Sequence, residues 1–235
     1  MKLDIPRILQ GPSSCGHSSL LQVLAYYGTK LELKEVVNEI SSCEVDDLKL
    51  GASECELGLF AMKRDFKSTV ISLDVRRFDA TWFDLSKEEL KKKLELRSKF
   101  LHNLSPEDFK EGQGTQYLDN VTKYYSEYFE KDGKVKFLPI SKELIKKYID
   151  KKIPVIALVS SQLYFKKARK YNGKFDDIKG KPTGHWIVVS GYTDKNFIIT
   201  DPADDLEKDG NVEMEQNYLI SSINTYGPVI LIIEK

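Results

Sequence analysis

Cys15 could take part in a chemical reaction, because it lies between a loop of small polar residues and the first turn of an apolar helix. The stretch that contains it, residues 9–28, is LQGPSSCGHSSLLQVLAYYG. A thiol attacks a carbonyl only as the thiolate, so its ordinary pKa of about 8.5 must be lowered for reaction at neutral pH. The positive end of a helix dipole and a neighbouring imidazolium both have this effect. The predicted helix start provides the first, and the second must come from one of three histidines, His17, His102 and His185.

His185 is the best candidate for a general base. It opens the apolar run HWIVVSGY directly after the loop KPTG, so a sheet would hold its ring rigidly at a loop end, where functional sites tend to lie. His17 is two residues from Cys15, so on a helix its side chain points to another face and a neighbouring polar role is expected. His102 lies in the charged stretch KFLHNLSPED and is expected to be an exposed residue at a helix end.

A catalytic base of this kind needs a third group that fixes its orientation, and Asp201 is the candidate. Asp201 ends the run FIITDP, and an antiparallel hairpin places the start of one strand, with His185, beside the end of its partner. Asp194 falls in the turn TDKN at the opposite end. Acyl chemistry also needs hydrogen-bond donors for an oxyanion, which the N–H of Cys15 and the amide of Gln10 would provide.

Each of these residues also has a structural interpretation. A free cysteine is often simply buried, His185 would be a strand histidine, Asp201 part of an Asp-Pro turn, and Gln10 a loop amide bound to backbone. The combination of all four favours catalysis. Cys43 and Cys55 are 12 positions apart with no Cys-x-x-Cys spacing, so no zinc site is predicted and both are expected to be core or surface thiols.

The composition predicts a cytosolic, reduced protein, and thiolate chemistry needs no metal or organic cofactor. The 235 residues contain 36 Lys plus Arg and 36 Asp plus Glu, so net charge gives no reason to expect nucleic acid or an anionic membrane as partner. No run approaches the roughly 18 apolar residues of a membrane span, and the N-terminus MKLDIPRILQ lacks the apolar core of a signal peptide. Three cysteines do not form a disulfide framework.

The elements that must position these residues follow from periodicity. A helix capped by Ser13 or Ser14 and ended by Gly28 carries the cysteine, and ELKEVVNEI and ECELGLFAMKRDF read as further helices before a strand in STVISL. The last hundred residues contain four apolar, β-branched runs that predict strands of a buried sheet: IPVIALVSS, HWIVVSGY, NFIITDP and PVILIIEK. Segregated helices and strands indicate an α+β fold.

Residues 76–133 differ in composition, because they are dense in Lys, Glu, Asp and Tyr. Ser86 with Glu89 predicts a capping box, and Ser105 with Pro106 predicts another helix start. The tyrosines of QYLDNVTKYYSEYF recur at helical spacing and are expected to pack. We therefore expect a single domain over 1–235, in which this stretch forms a charged helical insertion or cap.

The Gln10 and CGHSSLLQVLAYYG motifs, together with GHWIVVSGYTDKNFIITDP, resemble the C39-like branch of the papain-like cysteine peptidases. The resemblance spans roughly residues 5–75 and 135–235, and it implies a papain-like fold in which the nucleophile helix packs on an antiparallel sheet. The sequence departs from the family pattern at two points. In the family the spacing from Gln to Cys is often one residue longer than it is here, and a small residue or proline usually stands at the position of His17.

Carried onto this sequence, the resemblance implies Cys15 as nucleophile, His185 as base, Asp201 as orienting residue and Gln10 as oxyanion donor. It implies a hydrolase that acts on a peptide or acyl-amide substrate through a thioester. Two alternatives stay open: an acyltransferase that resolves the thioester with an amine, and a catalytically inactive peptide-binding module.

Overall fold

The computed structural model describes residues 1–40, 44–45, 48–49, 51–103, 115–203 and 211–235. Its helices are α1 (Cys15–Tyr26), α2 (Leu33–Glu39), α3 (Glu54–Met62), α4 (Lys87–His102), α5 (Thr115–Glu130), α6 (Lys142–Asp150), α7 (Ser161–Phe165) and α8 (Gln216–Tyr226), with a 3₁₀ turn at Ala80–Trp82. Its strands are β1 (Glu44–Val45), β2 (Leu48–Lys49), β3 (Lys67–Ser72), β4 (Lys134–Lys136), β5 (Val155–Ser160), β6 (Lys170–Tyr171), β7 (Lys174–Phe175), β8 (Gly184–Tyr192), β9 (Asn196–Thr200), β10 (Asn211–Glu215) and β11 (Val229–Glu234).

A seven-stranded sheet in the order β10-β9-β8-β5-β11-β3-β4 organises the molecule. All neighbouring pairs are antiparallel except β3 and β4. The four runs predicted as late strands are β5, β8, β9 and β11, and β5 and β8 are buried along both faces. The α+β prediction and the helix-on-sheet arrangement are confirmed, since α1 packs on β8 and α3 packs on β3.

Helix α1 begins without a side-chain cap. Ser14 occupies the N-cap position, but its Oγ binds the N–H of Gly11 at 2.8 Å and the carbonyl of Gly11 at 3.0 Å. The prediction that a serine side chain caps this helix is therefore wrong, because the tight loop competes for the hydroxyl. The helix ends as predicted before Gly28, whose φ of 90° lies in the left-handed region.

Strand β8 contains a β-bulge at Ser190. Near the turn, Tyr192 pairs with Phe197 and Gly191 with Ile198, but beyond Ser190 the register shifts so that Val189 pairs with Ile199. Gly191 is required there, since a Cβ atom would lie 2.5 Å from a backbone oxygen and 2.8 Å from Lys2 Cα of the N-terminal segment, which forms a bridge with Gly191. The turn predicted at TDKN joins β8 to β9.

Residues 76–133 contribute helices α4 and α5. The capping box of Ser86 and Glu89 is confirmed, and His102 is exposed at the end of α4 as predicted. The predicted helix start at Ser105 lies outside the described residues. Tyr125 and Tyr128 are fully buried and belong to the same hydrophobic core as the sheet, so the packing role of these tyrosines is confirmed.

A buried ionic cluster joins this stretch to α3. Glu54 accepts hydrogen bonds from Arg77 and, at 2.6 Å, from the Tyr125 hydroxyl, while Arg77 Nε lies 3.4 Å from Asp74. Glu54 is 0% exposed and Arg77 is 4% exposed, so each charge depends on the other for compensation. Among the described residues, no helix is long and apolar enough to cross a membrane.

Candidate active site

Three candidate residues from separate elements meet at one end of the sheet. Cys15 is the first residue of α1, His185 the second residue of β8, and Asp201 follows the last residue of β9. His185 Nε2 lies 2.9 Å from Asp201 Oδ1, and the same imidazole is close enough to the Cys15 thiol to lower its pKa. Because Asp201 engages Nε2, Nδ1 is the ring nitrogen that remains to face the sulfur.

The bulge makes the contact between His185 and Asp201 possible. With Val188 opposite Thr200, Asp201 falls opposite Ile187, which is on the same face as His185. The histidine and the carboxylate are therefore diagonal neighbours, within reach of each other's side chains. A hairpin without the extra residue would place Asp201 opposite Val188 and on the other face of the sheet.

Electrostatics favour an imidazolium–thiolate pair. Burial alone would raise the pKa of the Cys15 thiol, but the hydrogen bond and charge of His185 outweigh burial and lower it below its ordinary value. Burial likewise lowers the pKa of His185, but the Asp201 and Cys15 hydrogen bonds and charges raise it to about 10. Both shifts favour the state in which the proton is on the ring and the negative charge is on the sulfur.

Asp201 is held by a second set of contacts. It is 0% exposed, and its Oδ1 also accepts the Ala203 N–H at 2.8 Å. Arg7 donates to the backbone carbonyls of Asp201, at 3.0 Å, and Ala203. The carboxylate is thus fixed toward the histidine, as the third group of a Cys-His-Asp arrangement requires.

Two aromatic rings on α7 cover His185. The ring centroid of Phe165 lies 5.1 Å from that of His185, and the ring centroid of Tyr164 lies 5.9 Å away. His185 is 5% exposed in consequence. The Tyr164 hydroxyl is buried near Asp201, and burial first and this carboxylate second raise its pKa, so it stays protonated. Sequence reasoning missed both rings, although Ser160, which caps α7, and the aromatic pair after the apolar strand were available signals.

Gln10 lies beside the loop that carries Asp201. Its backbone N–H donates to the Pro202 carbonyl at 2.8 Å, which places it next to Asp201 in the fold. Its side-chain Oε1 is buried and accepts no hydrogen bond from any residue that the structure describes. A loop amide can bond backbone through its oxygen or through its NH₂ group, and for Gln10 the bond through the oxygen is absent from the described residues.

The other histidines and cysteines with described positions lie elsewhere. His17 is buried, burial lowers its pKa, and its Nε2 lies 3.4 Å from the Ile40 carbonyl. Cys55 is buried in α3, and burial raises the pKa of its thiol well above the ordinary value. Cys43 lies outside the described residues. Within the described part of the chain, no group of three or more His, Cys, Asp or Glu side chains is placed to hold a metal ion.

Residues 2–226, nearly the whole chain, match the profile of the Peptidase_C39 like family. The chain belongs to this family. As a C39-like peptidase family member it also shares its fold with a solved structure from Bacillus anthracis that is assigned as a C39-like peptidase. The TM-score is 0.54 at 15% identity, and the match covers 100% of this chain and 98% of that chain.

A second solved structure is more distant from this C39-like family member. It is a double glycine motif protease from an AMS/PCAT transporter, in complex with the leader peptide, with a TM-score of 0.46 at 16% identity. The match covers 99% of this chain and 93% of that chain. A search of curated proteins found no match. The recognition of a C39-like sequence pattern is therefore confirmed by the family match, and its fold by the Bacillus anthracis structure.

Proposed function

We propose that this C39-like family member is a cysteine peptidase-type hydrolase that cleaves peptide or other acyl-amide bonds. Cys15 is the nucleophile, His185 the general acid and base, and Asp201 the residue that orients the imidazole. The observation that carries the proposal is the imidazole of His185, which contacts the Cys15 thiol and Asp201 at once. A structural cysteine would have no need of a paired, charged histidine.

The reaction follows from this pair. The Cys15 thiolate attacks the carbonyl carbon, and the oxyanion accepts hydrogen bonds from the Cys15 N–H and the Gln10 amide. The imidazolium of His185 gives its proton to the leaving amine, which departs and leaves a thioester. His185 then takes a proton from water, whose oxygen attacks the thioester, and the acid product leaves as the imidazolium–thiolate pair re-forms.

The start of α1 supports the oxyanion role of its backbone. Ser14, the N-cap residue, makes no side-chain cap bond to this helix, so its first N–H groups and its dipole remain directed at the region of the sulfur. The carbonyl oxygen of a substrate attacked by Cys15 would develop its negative charge there. A neutral side-chain cap would have competed with that oxyanion.

Labelling with a small epoxide probe tests the nucleophile and base. We expect wild type to be labelled at Cys15, Cys15→Ala to lose all labelling, and His185→Ala to react roughly 10²–10⁴ times more slowly. Cys55→Ala is the matched control, because the Cys55 thiol is buried with a raised pKa and should not contribute. Labelling at Cys43 or Cys55, or an unchanged rate in His185→Ala, would refute the assignment and favour an inactive binding module.

The oxyanion donor has a separate test. Gln10→Ala should lower kcat on a cleaved peptide by about 10²–10³-fold, while alkylation of Cys15 by iodoacetamide, which develops no oxyanion, stays at the wild-type rate. Equal losses in both reactions would show a structural role for Gln10. Mass spectrometry of the products identifies the resolving nucleophile, since a free acid indicates hydrolysis and an amine adduct indicates acyl transfer.

A further inference from the structure

An exposed hairpin over residues 166–181, called here the basic hairpin, projects from the candidate site. Strands β6 and β7 pair across Asn172 and Gly173, whose φ angles of 46° and 76° are those of a two-residue type I′ turn. The base of the hairpin is fixed, because the Thr183 N–H donates to Gln162 Oε1 at 3.0 Å and the Ser161 N–H donates to the Thr183 carbonyl at 2.9 Å.

Both ends of the basic hairpin lead directly into the site. Its first residue, Lys166, follows Phe165, whose ring packs on His185. After its last residue, Lys181, the chain enters β8, where His185 is the second residue. A molecule held on this hairpin is therefore held at a fixed position relative to the imidazole.

The basic hairpin concentrates positive charge that the chain as a whole lacks. It contains seven Lys or Arg and two Asp, a net charge of +5, so the other 219 residues carry −5. All seven basic side chains are exposed: Lys166, Lys167, Arg169, Lys170, Lys174, Lys179 and Lys181. Asp176 is turned into its own loop, where its Oδ1 accepts the N–H groups of Ile178 and Lys179 at 2.9 and 2.8 Å.

Large apolar side chains are exposed among these charges. Tyr171, Phe175 and Ile178 are 45%, 58% and 81% exposed, and Lys170 lies over the Phe175 ring with its Nζ 5.4 Å from the centroid. Grouped apolar side chains within a charged surface are typical of an interaction site. A hairpin whose only task was to connect α7 with β8 would gain nothing from them.

We propose that the basic hairpin binds an acidic peptide segment that also carries apolar side chains, and that this segment belongs to the substrate whose scissile bond lies at Cys15. Opposite charge selects the acidic side chains, and Tyr171, Phe175 and Ile178 contact the apolar ones. A peptide is favoured over nucleic acid or a membrane, because the hairpin is anchored two residues from His185 and a peptide is what the proposed chemistry consumes. The inference rests on the proposed function for the identity of the substrate.

Binding to the Cys15→Ala protein, which cannot cleave, tests this surface. The probes are two fluorescein-labelled 12-residue peptides, one alternating Glu with Leu and the other alternating Lys with Leu, measured by fluorescence anisotropy at low and at physiological salt. We expect the Glu–Leu peptide to bind about 10-fold tighter than the Lys–Leu peptide or more, with the difference shrinking as salt rises.

Charge reversal locates the surface. The triple variant Lys174→Glu, Lys179→Glu and Lys181→Glu should weaken Glu–Leu binding by about 10-fold or more. The matched control reverses three exposed lysines on α4, Lys92, Lys93 and Lys99, and should change binding by less than about 2-fold. Equal thermal melting of the two triple variants shows that both are folded.

Three results would overturn the inference: equal affinity for the two peptides, equal losses in the two triple variants, or hairpin-dependent binding to phosphatidylserine vesicles or an oligonucleotide without peptide selectivity. Failure of the proposed function looks different. Epoxide labelling of wild type depends on the chemistry of Cys15 alone. If labelling is absent but binding still selects the acidic peptide, the proposed hydrolase is refuted. If labelling is present but binding does not distinguish the two peptides, the proposed binding surface on the hairpin is refuted.

Discussion

Replacement of Asp201 by Asn tests how the carboxylate tunes the site. The change keeps the shape and a carbonyl oxygen for His185 Nε2, but it removes the negative charge 2.9 Å from the ring. A hydrogen bond to a charged partner contributes about 1.5–3 kcal/mol, and 1.36 kcal/mol corresponds to one pKa unit. Asp201→Asn should therefore lower the pKa of His185 from about 10 by about one to two units.

Two electrophiles, iodoacetamide and an epoxide, show how the lowered pKa of His185 affects the reactivity of Cys15. Iodoacetamide needs only the thiolate, whereas opening of an epoxide also needs a proton for the departing alkoxide, which the imidazolium supplies. Because the protonated ring exists only below its pKa, epoxide labelling falls as pH rises through the pKa of His185. In Asp201→Asn this alkaline limb should move down by about one to two pH units, while iodoacetamide alkylation continues above it.

The matched control is Asp194→Asn, an exposed carboxylate in the turn at the other end of the same hairpin. Its alkaline limb should coincide with that of wild type, since the charge is remote from the ring and surrounded by solvent. An unshifted limb in Asp201→Asn, or equal shifts in both variants, would refute the assignment of the raised histidine pKa to the Asp201 contact.

Three further predictions, the first with a control variant, concern stability and are tested by urea unfolding. Glu54→Gln should cost about 3 kcal/mol, because it leaves the buried Arg77 charge undercompensated. Asp132→Asn, in an exposed ion pair, is the control and should leave the urea midpoint almost unchanged; equal losses would contradict the buried cluster. Burial lowers the pKa of His17, so the unfolded chain takes up the proton first as the pH falls, and wild type loses stability. His17→Gln lacks this loss, so its stability relative to wild type should rise as the pH falls from 7.5 to 5.5, by at most about 1.4 kcal/mol per pH unit. Parallel pH curves of the two proteins would contradict this. Gly58→Ala should cost about 1–3 kcal/mol, because its Cβ would lie 2.6 Å from a buried tyrosine ring on α5; an unchanged midpoint would show that the ring moves freely.

Long apolar strands and one well-bounded helix were predictable from sequence, because their periodicity and end signals agree. The runs around Val155 and Val229 became central strands, and the helix before Gly28 ended where a left-handed residue allows it. Helix α6 was missed, although Ser141 caps it and apolar residues recur along it at helical spacing. The β6–β7 hairpin was missed too, although its Asn-Gly pair is a strong hairpin signal.

The meeting of His185 with Asp201 was predicted for an incomplete reason. A hairpin places the two ends side by side, but only the bulge at Ser190 puts both side chains on one face. An isolated glycine within an apolar strand, Gly191, was the signal that the strand is irregular. Side-chain contacts that depend on a close approach of distant segments, such as Lys2 at Gly191 and Phe165 on His185, have no local signature in the sequence.

A shift of one residue in the register between β8 and β9 would move each side chain of β8 to the other face of the sheet. Because β8 is buried on both faces, its apolar residues do not disfavour that shifted register. The choice falls to polar and backbone groups: the Leu3 N–H that donates to the Ser190 carbonyl at 2.7 Å, and the imidazole–carboxylate bond. His185 and Asp201, which we assign to chemistry, thus also help to fix the alignment of the two strands. An out-of-step isomer would keep a well-packed interior and yet present no acid group to the histidine, so a normal melting curve would be no guarantee of a competent protein.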